Sequence, residues 1–312
     1  MCLYPRLIKN PKYKANKKNG GVVTPPSDYR IRYVPVGCGV CMECMKKKAR
    51  EWQVRLSEEI KERADGRFIT LTFNNESYEK IKEEMKEECQ LFTKGNEENV
   101  IAKRAIRLFL ERWRRKYGKS VRHWFVTELG EKNDRLHLHG IIFTEKKESE
   151  IKERWGYGNI WIGKFVNRKT INYVTKYMTK LDEKHKEYKA VILTSAGIGK
   201  GYIKSKNAER NKYKKEKTIE YYETREGVKL GLPIYYRNKI YSEEEREKLW
   251  IEKLDKGEIY IGGEKVKSRK PKQIIKMREY YREKSIKLGY GVPENYDKDT
   301  YEERFREINK GV

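Results

Sequence analysis

Two histidines lie two residues apart in RLHLHGIIF (135–143), at His137 and His139, and the chain holds only two others. In a β-strand, side chains two apart share a face, so Leu136 and Leu138 would point into a core and both imidazoles would point out of it. Neutral imidazole is a common metal ligand, and such a pair on one strand face makes a metal platform. The bland alternative is two polar residues on a solvated face. A third ligand is expected to be a carboxylate, with Glu128 first and Glu131 and Asp134 as alternatives. Register decides the matter. If the link 130–134 is a plain five-residue loop, Glu128 falls opposite Leu136 and faces the core. If the loop is only 131–134, or Gly130 forms a bulge, Glu128 falls opposite His137 and faces the metal.

INYVTKYMTK (171–180) carries Tyr173 and Tyr177, with Lys176 and Lys180 each three residues further on. Residues four apart share a helix face. A phenol of pKa about 10 is a weak nucleophile unless a cation or metal stabilises its phenolate, which makes the lysines candidate catalytic partners. A surface helix in a chain of 23 tyrosines is the competing explanation.

Three cysteines form Cys38-x2-Cys41-x2-Cys44, and Cys2 could close a four-thiolate structural zinc site. An iron–sulfur cluster is an alternative, although the expected fourth cysteine and proline do not follow. Cys89 stands alone in an acidic stretch. Between the histidines and the tyrosines, Trp155, Tyr157 and Trp161 could stack unpaired bases, with Lys164 and Lys200 as further DNA contacts. Core packing is the alternative for the tryptophans. SAGIGKGYIK (195–204) could touch a phosphate, but its spacing is not that of a Walker or dinucleotide motif.

The surrounding pattern must position these groups. KKKAREWQVRLSEEIKER (46–63) reads as a helix and FITLTF (68–73) as a strand. Residues 74–89 form a charged helical stretch. In 105–118, Ile106, Phe109, Leu110 and Trp113 fall on one helical face, and Gly118 can end it. VRHWFVTEL (121–129) and RLHLHGIIF read as a hairpin, and 167–184 as a helix. Ser242 and Glu245 form a capping-box pattern before a later helix. This order implies an α+β fold with a central antiparallel sheet and helices on one face. Three segments are expected: a Cys-rich 1–50, a catalytic domain 51–204, and a basic, mainly helical 205–312.

Charge narrows the partners. The 312 residues include 73 Lys and Arg against 47 Asp and Glu, a net charge of +26 spread along the chain. Such a protein is drawn to polyanions, nucleic acid above all. No stretch is apolar enough to span a membrane, and MCLYPRLIKNPKYK has no signal core, so a cytosolic protein is expected.

FITLTF, RLHLHG and YVTKYMTK, in this order, resemble the three motifs of the HUH endonucleases. More narrowly they resemble the two-tyrosine replication initiators of the Microviridae, small single-stranded DNA bacteriophages. The likeness runs from CGVCMEC (38–44) to ILTSAGIGKGYI (192–203), and MCLYPRLIKNP shares it. The family's acidic ligand falls on Glu128, flanked here by Thr127 and Leu129. The resemblance implies an endonuclease and ligase for rolling-circle replication. One tyrosine would nick single-stranded DNA at the origin through a 5′-phosphotyrosine linkage, and the second would act after one round. It also implies Mg²⁺ or Mn²⁺ at the histidines, a host polymerase, and the cytoplasm of a bacterial host. Absence of a P-loop motif adds a host helicase. Two other functions compete: a non-catalytic zinc-containing nucleic-acid-binding protein, and a relaxase or transposase of the same chemistry.

Overall fold

The computed structural model describes residues 1–87, 97–130, 134–163, 165–180, 184–185, 188–267 and 270–309. In chain order the elements begin with β1 (Arg6–Lys9), β2 (Tyr33–Val36), α1 (Met42–Glu62), β3 (Gly66–Thr72), α2 (Asn75–Glu84) and α3 (Glu97–Tyr117). Next come β4 (Arg122–Leu129), β5 (Leu136–Phe143), α4 (Glu148–Trp155), β6 (Ile160–Ile162), α5 (Arg168–Lys176) and β7 (Ile192–Thr194). The last are α6 (Lys206–Glu209), β8 (Tyr221–Glu223), β9 (Lys229–Gly231), α7 (Ile234–Ile240), α8 (Glu243–Lys256), β10 (Glu258–Ile261), β11 (Glu264–Lys267), α9 (Pro271–Lys287) and α10 (Lys298–Asn309). They divide into two compact units, Ala49–Lys204 and a second built from Met1–Lys48 with Ser205–Val312.

In the first unit, alternating apolar residues build an antiparallel sheet of order β6-β3-β5-β4-β7. One face is apolar along its length. Ile69, Leu71, Phe125, Leu129, Leu136, Leu138 and Ile142 lie there against Ile81 of α2, Phe109 and Trp113 of α3, and Ile151 and Trp155 of α4. Each fully buried Phe or Leu contributes roughly 1.5–3 kcal/mol relative to exposure.

The opposite face changes character along its strands. At one end Phe68, Trp124, Ile141 and Phe143 pack under Leu56 of α1 and Ile171 and Val174 of α5. At the other end the same face carries Thr70, Thr72, Glu128, His137 and His139. The expected helical layer is thus present as α2–α4, and α1 and α5 cover part of the second face as well. Gly140 allows the close packing beside the histidines: a Cβ there would stand 2.2 Å from the carbonyl oxygen of Trp124.

The helix α5 starts with a capping box. Asn167 accepts from the Thr170 amide, and Thr170 Oγ1 accepts from the Asn167 amide. The helix expected over 167–184 stops at Lys176. Beyond it, Met178 and Thr179 donate to the carbonyls of Thr175 and Lys176 three residues back, a tightened turn that ends the α-helical ladder.

In the second unit, the segments read from sequence as separate ends share a core. Leu3, Tyr4, Cys41 and Met42 pack with Ile261, Val266, Ile274 and Tyr281. Its later part is not only helical: β8–β9 and β10–β11 are antiparallel hairpins. The capping box at Ser242 and Glu245 opens α8 as its sequence suggests. Among the described residues, no helix is long and apolar enough to cross a membrane. Cys89 lies outside them.

Candidate functional site

Register puts the acidic residue with the histidines. Leu129 pairs with Leu136 and Glu128 with His137. Gly130 donates to the Arg135 carbonyl, so the four residues 131–134 close the hairpin. Of the two arrangements weighed from sequence, the four-residue loop holds. Glu131 lies outside the described residues. Asp134 turns away in the left-handed region, φ 49°, and faces His185 at 3.7 Å.

Glu128, His137 and His139 present one ligand atom each within 4.8 Å of one another. The Nε2 of His139 donates to the Glu128 carboxylate at 2.7 Å, and its Nδ1 lies 3.0 Å from the Thr70 hydroxyl. Thr70 pairs directly with His139 across β3 and β5. A hydroxyl behind a ligating imidazole fixes its ring and tautomer. Burial pushes Glu128 up, but hydrogen bonds from His139 and Lys180 outweigh it and hold the carboxyl below its ordinary value. Burial pushes His137 down, and the nearby His139 acts in the same direction. Both shifts favour the ligating forms, carboxylate and neutral imidazole. Two imidazoles and a carboxylate with an open side suit a divalent cation that keeps positions for substrate.

Both tyrosines reach this end of the sheet. The Tyr177 ring stacks on His139 with centroids 4.1 Å apart and planes within 4°. Its hydroxyl lies 2.5 Å from that of Tyr173. Tyr173 is half exposed and meets Phe68 edge-on. Lys180 binds Glu128 and stands 5.9 Å from the Tyr177 ring centre. Lys176 is exposed at the end of α5 and has no ion-pair partner among the described residues. Beside the three ligands opens a recess of about 880 Å³, which Tyr177 and Lys180 also line.

The expected DNA-stacking aromatics separate. Trp155 is fully buried, donates to the Thr72 carbonyl and packs on Phe73 and Phe109, so it is a core residue with no face for a base. Tyr157 is held as well: Arg112 donates to its hydroxyl, and its ring packs on Phe73 and Trp155. Trp161 is 58% exposed and meets Phe68 edge-on. Because Trp161 pairs with Thr70, it stands on the histidine face. Lys164 lies outside the described residues. Lys200 is exposed at the start of a single 3₁₀ turn, Lys200–Lys204. The glycine loop before it is not an empty phosphate cradle. The Glu59 carboxylate accepts from the Gly199 amide, and Arg122 ties Glu59 to the carbonyls of Ala196 and Gly197.

The second cluster gathers Cys2, Cys38, Cys41 and Cys44 within 4.8 Å. The Cys2–Cys41 and Cys38–Cys44 sulfurs are each 3.9 Å apart. Four sulfurs at about 2.3 Å around one tetrahedral ion stand about 3.8 Å from one another. Amides of Cys38 and Cys41 point at the sulfurs of Cys2 and Cys38, at 3.2 and 3.4 Å. Such donors favour thiolates, as does the N-terminal turn of α1.

Sequence reasoning missed Thr70, although its offset of two from Phe68 and from Thr72 places all three on one strand face. It also missed Arg135 and Lys152, whose role depends on how α4 meets the sheet.

Residues 66–182 match the replication-associated protein ORF2 family. Replication-associated protein ORF4 of Chlamydia phage 1 is 25% identical over 171 residues, 47% of this chain and 38% of that relative. Replication-associated protein ORF2 of Spiroplasma virus 4 is 28% identical over 318 aligned residues, 89% of this chain and 91% of that relative. No solved structure matches the chain. The region from β3 to α5, with its paired histidines and tyrosines, is thus a domain of the replication-associated ORF2 family, in a chain similar over most of its length to a phage replication protein.

Proposed function

We propose that this protein initiates rolling-circle replication of a phage genome by nicking and rejoining single-stranded DNA. One observation carries the reading: two tyrosine hydroxyls 2.5 Å apart adjoin a carboxylate and two imidazoles able to hold one metal ion. A water-activating nuclease has no use for paired phenols. A transesterase that must cut, wait and rejoin needs two.

The phenolate oxygen of one tyrosine attacks the scissile phosphorus. The P–O3′ bond breaks, the 3′ oxygen leaves and takes a proton, and the 5′ end stays bonded to tyrosine. The bond energy is kept for rejoining. Mg²⁺ or Mn²⁺ held by Glu128, His137 and His139 would polarise the phosphate as a Lewis acid. Each tyrosine can donate a hydrogen bond to the other's phenolate, which favours ionisation. Lys180 anchors Glu128 and adds positive charge beside Tyr177. A host polymerase would extend the 3′ end and a host helicase would open the duplex, in the cytoplasm of a bacterium.

The four cysteines fit one tetrahedral ion better than a multi-iron cluster, whose ligands stand further apart. We assign it as structural zinc.

The test is a denaturing gel of protein incubated with origin-bearing single-stranded DNA and Mn²⁺. A metal-dependent covalent adduct, absent from the Tyr173→Phe/Tyr177→Phe double variant and from His137→Ala, is expected. Tight metal-independent binding with no adduct would favour a non-catalytic DNA-binding protein.

A further inference from the structure

The recess beside the three ligands continues away from them, toward α4. Arg135, at the foot of β5, and Lys152, on α4, line its far part together with the loop Gly156–Asn159. Both cations are exposed, and among the described residues neither has a carboxylate partner. Their neighbours do: Arg154 pairs with Glu153, and Lys146 with Glu150, around the same helix. The two left without partners are those that line the recess.

The floor between them is backbone. Gly158 lies so close to β3 that a Cβ would stand 2.5 Å from the Thr72 carbonyl oxygen. Asn159 accepts from the Thr72 amide and hydroxyl, which pins this loop to the strand beside His137. Asn74 borders it and spends its carboxamide oxygen capping α2, so its NH₂ remains as a donor. A flat glycine floor, amide donors and two unpaired cations make a seat for a flexible polyanion. At about 880 Å³, the recess is in the size range of small-ligand pockets and too confined for a duplex.

We propose that this recess binds the single strand on one side of the scissile phosphate, with Arg135 and Lys152 each neutralising one backbone phosphate and the intervening nucleotide lying over Gly156–Asn159. The assignment rests on the reading of the site as a DNA transesterase and adds the path of the strand. It also distinguishes the tyrosines: Tyr177 lines the recess, while Tyr173 leans on Phe68.

The experiment measures binding of a fluorescein-labelled 15-nucleotide single strand of mixed sequence by anisotropy, across a salt series, without added divalent metal. A single-strand phosphate contact contributes about 0.7 to the slope of log K against log salt, or about fivefold in affinity at 0.1 M. Arg135→Ala and Lys152→Ala should therefore each weaken binding about fivefold, and the double variant about 25-fold with a slope shallower by about 1.4. Arg135→Lys should recover most of its loss. Lys119→Ala, an exposed cation near the opposite end of β4, should change binding less than twofold. Unchanged slope and affinity in the double variant would overturn the proposal, as would an equal loss in Lys119→Ala. Adduct formation by the wild type with unchanged binding in the double variant would sink the path and keep the transesterase. Weakened binding with no adduct from the wild type would do the reverse.

Discussion

The hydroxyl oxygens of Tyr173 and Tyr177 lie 2.5 Å apart, so the two candidate nucleophiles share a hydrogen bond before any substrate arrives. Whichever ionises is stabilised by the other. A hydrogen bond to a charged group is worth about 1.5–3 kcal/mol, and each 1.4 kcal/mol is tenfold in rate. Tyr173→Phe and Tyr177→Phe should each still form adduct, at an initial rate about 10- to 100-fold below wild type, and only the double variant should form none. Single variants that react at the full wild-type rate would show that the shared bond does nothing for nucleophilicity.

Thr70 stands behind His139, 3.0 Å from its Nδ1. Removing a hydroxyl that orients a metal-bound imidazole costs about 10- to 100-fold in metal affinity. Thr70→Val keeps the shape and the β-branch, so the melting temperature should barely move while the Mn²⁺ concentration for half-maximal adduct formation rises by that factor. Glu128→Gln should raise it further, because it removes a ligand charge and the anchor of Lys180. If Thr70→Val shifts stability but not the Mn²⁺ requirement, the threonine serves the sheet alone.

Much of this site was legible because it rests on local periodicity. Alternation sets the faces of His137 and His139 within β5, and a helical offset of four sets Tyr173 against Tyr177. Glu128 was legible only to within one residue of register, since a loop length, not a pattern, decides its face. The Gly130 to Arg135 bond settles that. Trp155 and Tyr157 misled for another reason. Composition marks an aromatic as able to stack on a base, but packing decides whether a face is left, and Phe73, Phe109 and Arg112 occupy these two. Joining residues 1–48 to 205–312 depends on contacts across more than two hundred residues, which no window of sequence reports.

The sulfur spacing of 3.9 Å in two pairs leads to a measurable stoichiometry. Purified protein dialysed without chelator should hold one zinc per chain by elemental analysis. Cys41→Ser should lose it, and Cys89→Ser should keep it. Because Cys41 sits in the core with Leu3, Tyr4 and Ile274, metal removal should expose the unit of Met1–Lys48 and Ser205–Val312 to limited proteolysis. Iron in place of zinc, or no bound metal in the wild type, would refute the assignment.

His123 should make stability depend on pH. It is 5% exposed, stacked on Phe125, with Nδ1 3.0 Å from the Val121 carbonyl and 3.1 Å from the Ser195 hydroxyl. Burial pushes its pKa below the ordinary 6.5, and Arg122 pushes the same way against the Val121 hydrogen bond. Below about pH 6.5 the unfolded chain therefore binds a proton that the folded chain refuses. The contribution of this residue to stability is full above that pH and falls as pH drops toward the folded-state value. One proton changes the slope by at most about 1.4 kcal/mol per pH unit. Urea midpoints at pH 7, 6 and 5 should fall more steeply for wild type than for His123→Gln, which keeps polar groups but cannot titrate. Parallel profiles would mean that His123 is protonated in the folded protein and that the buried ring is not held neutral.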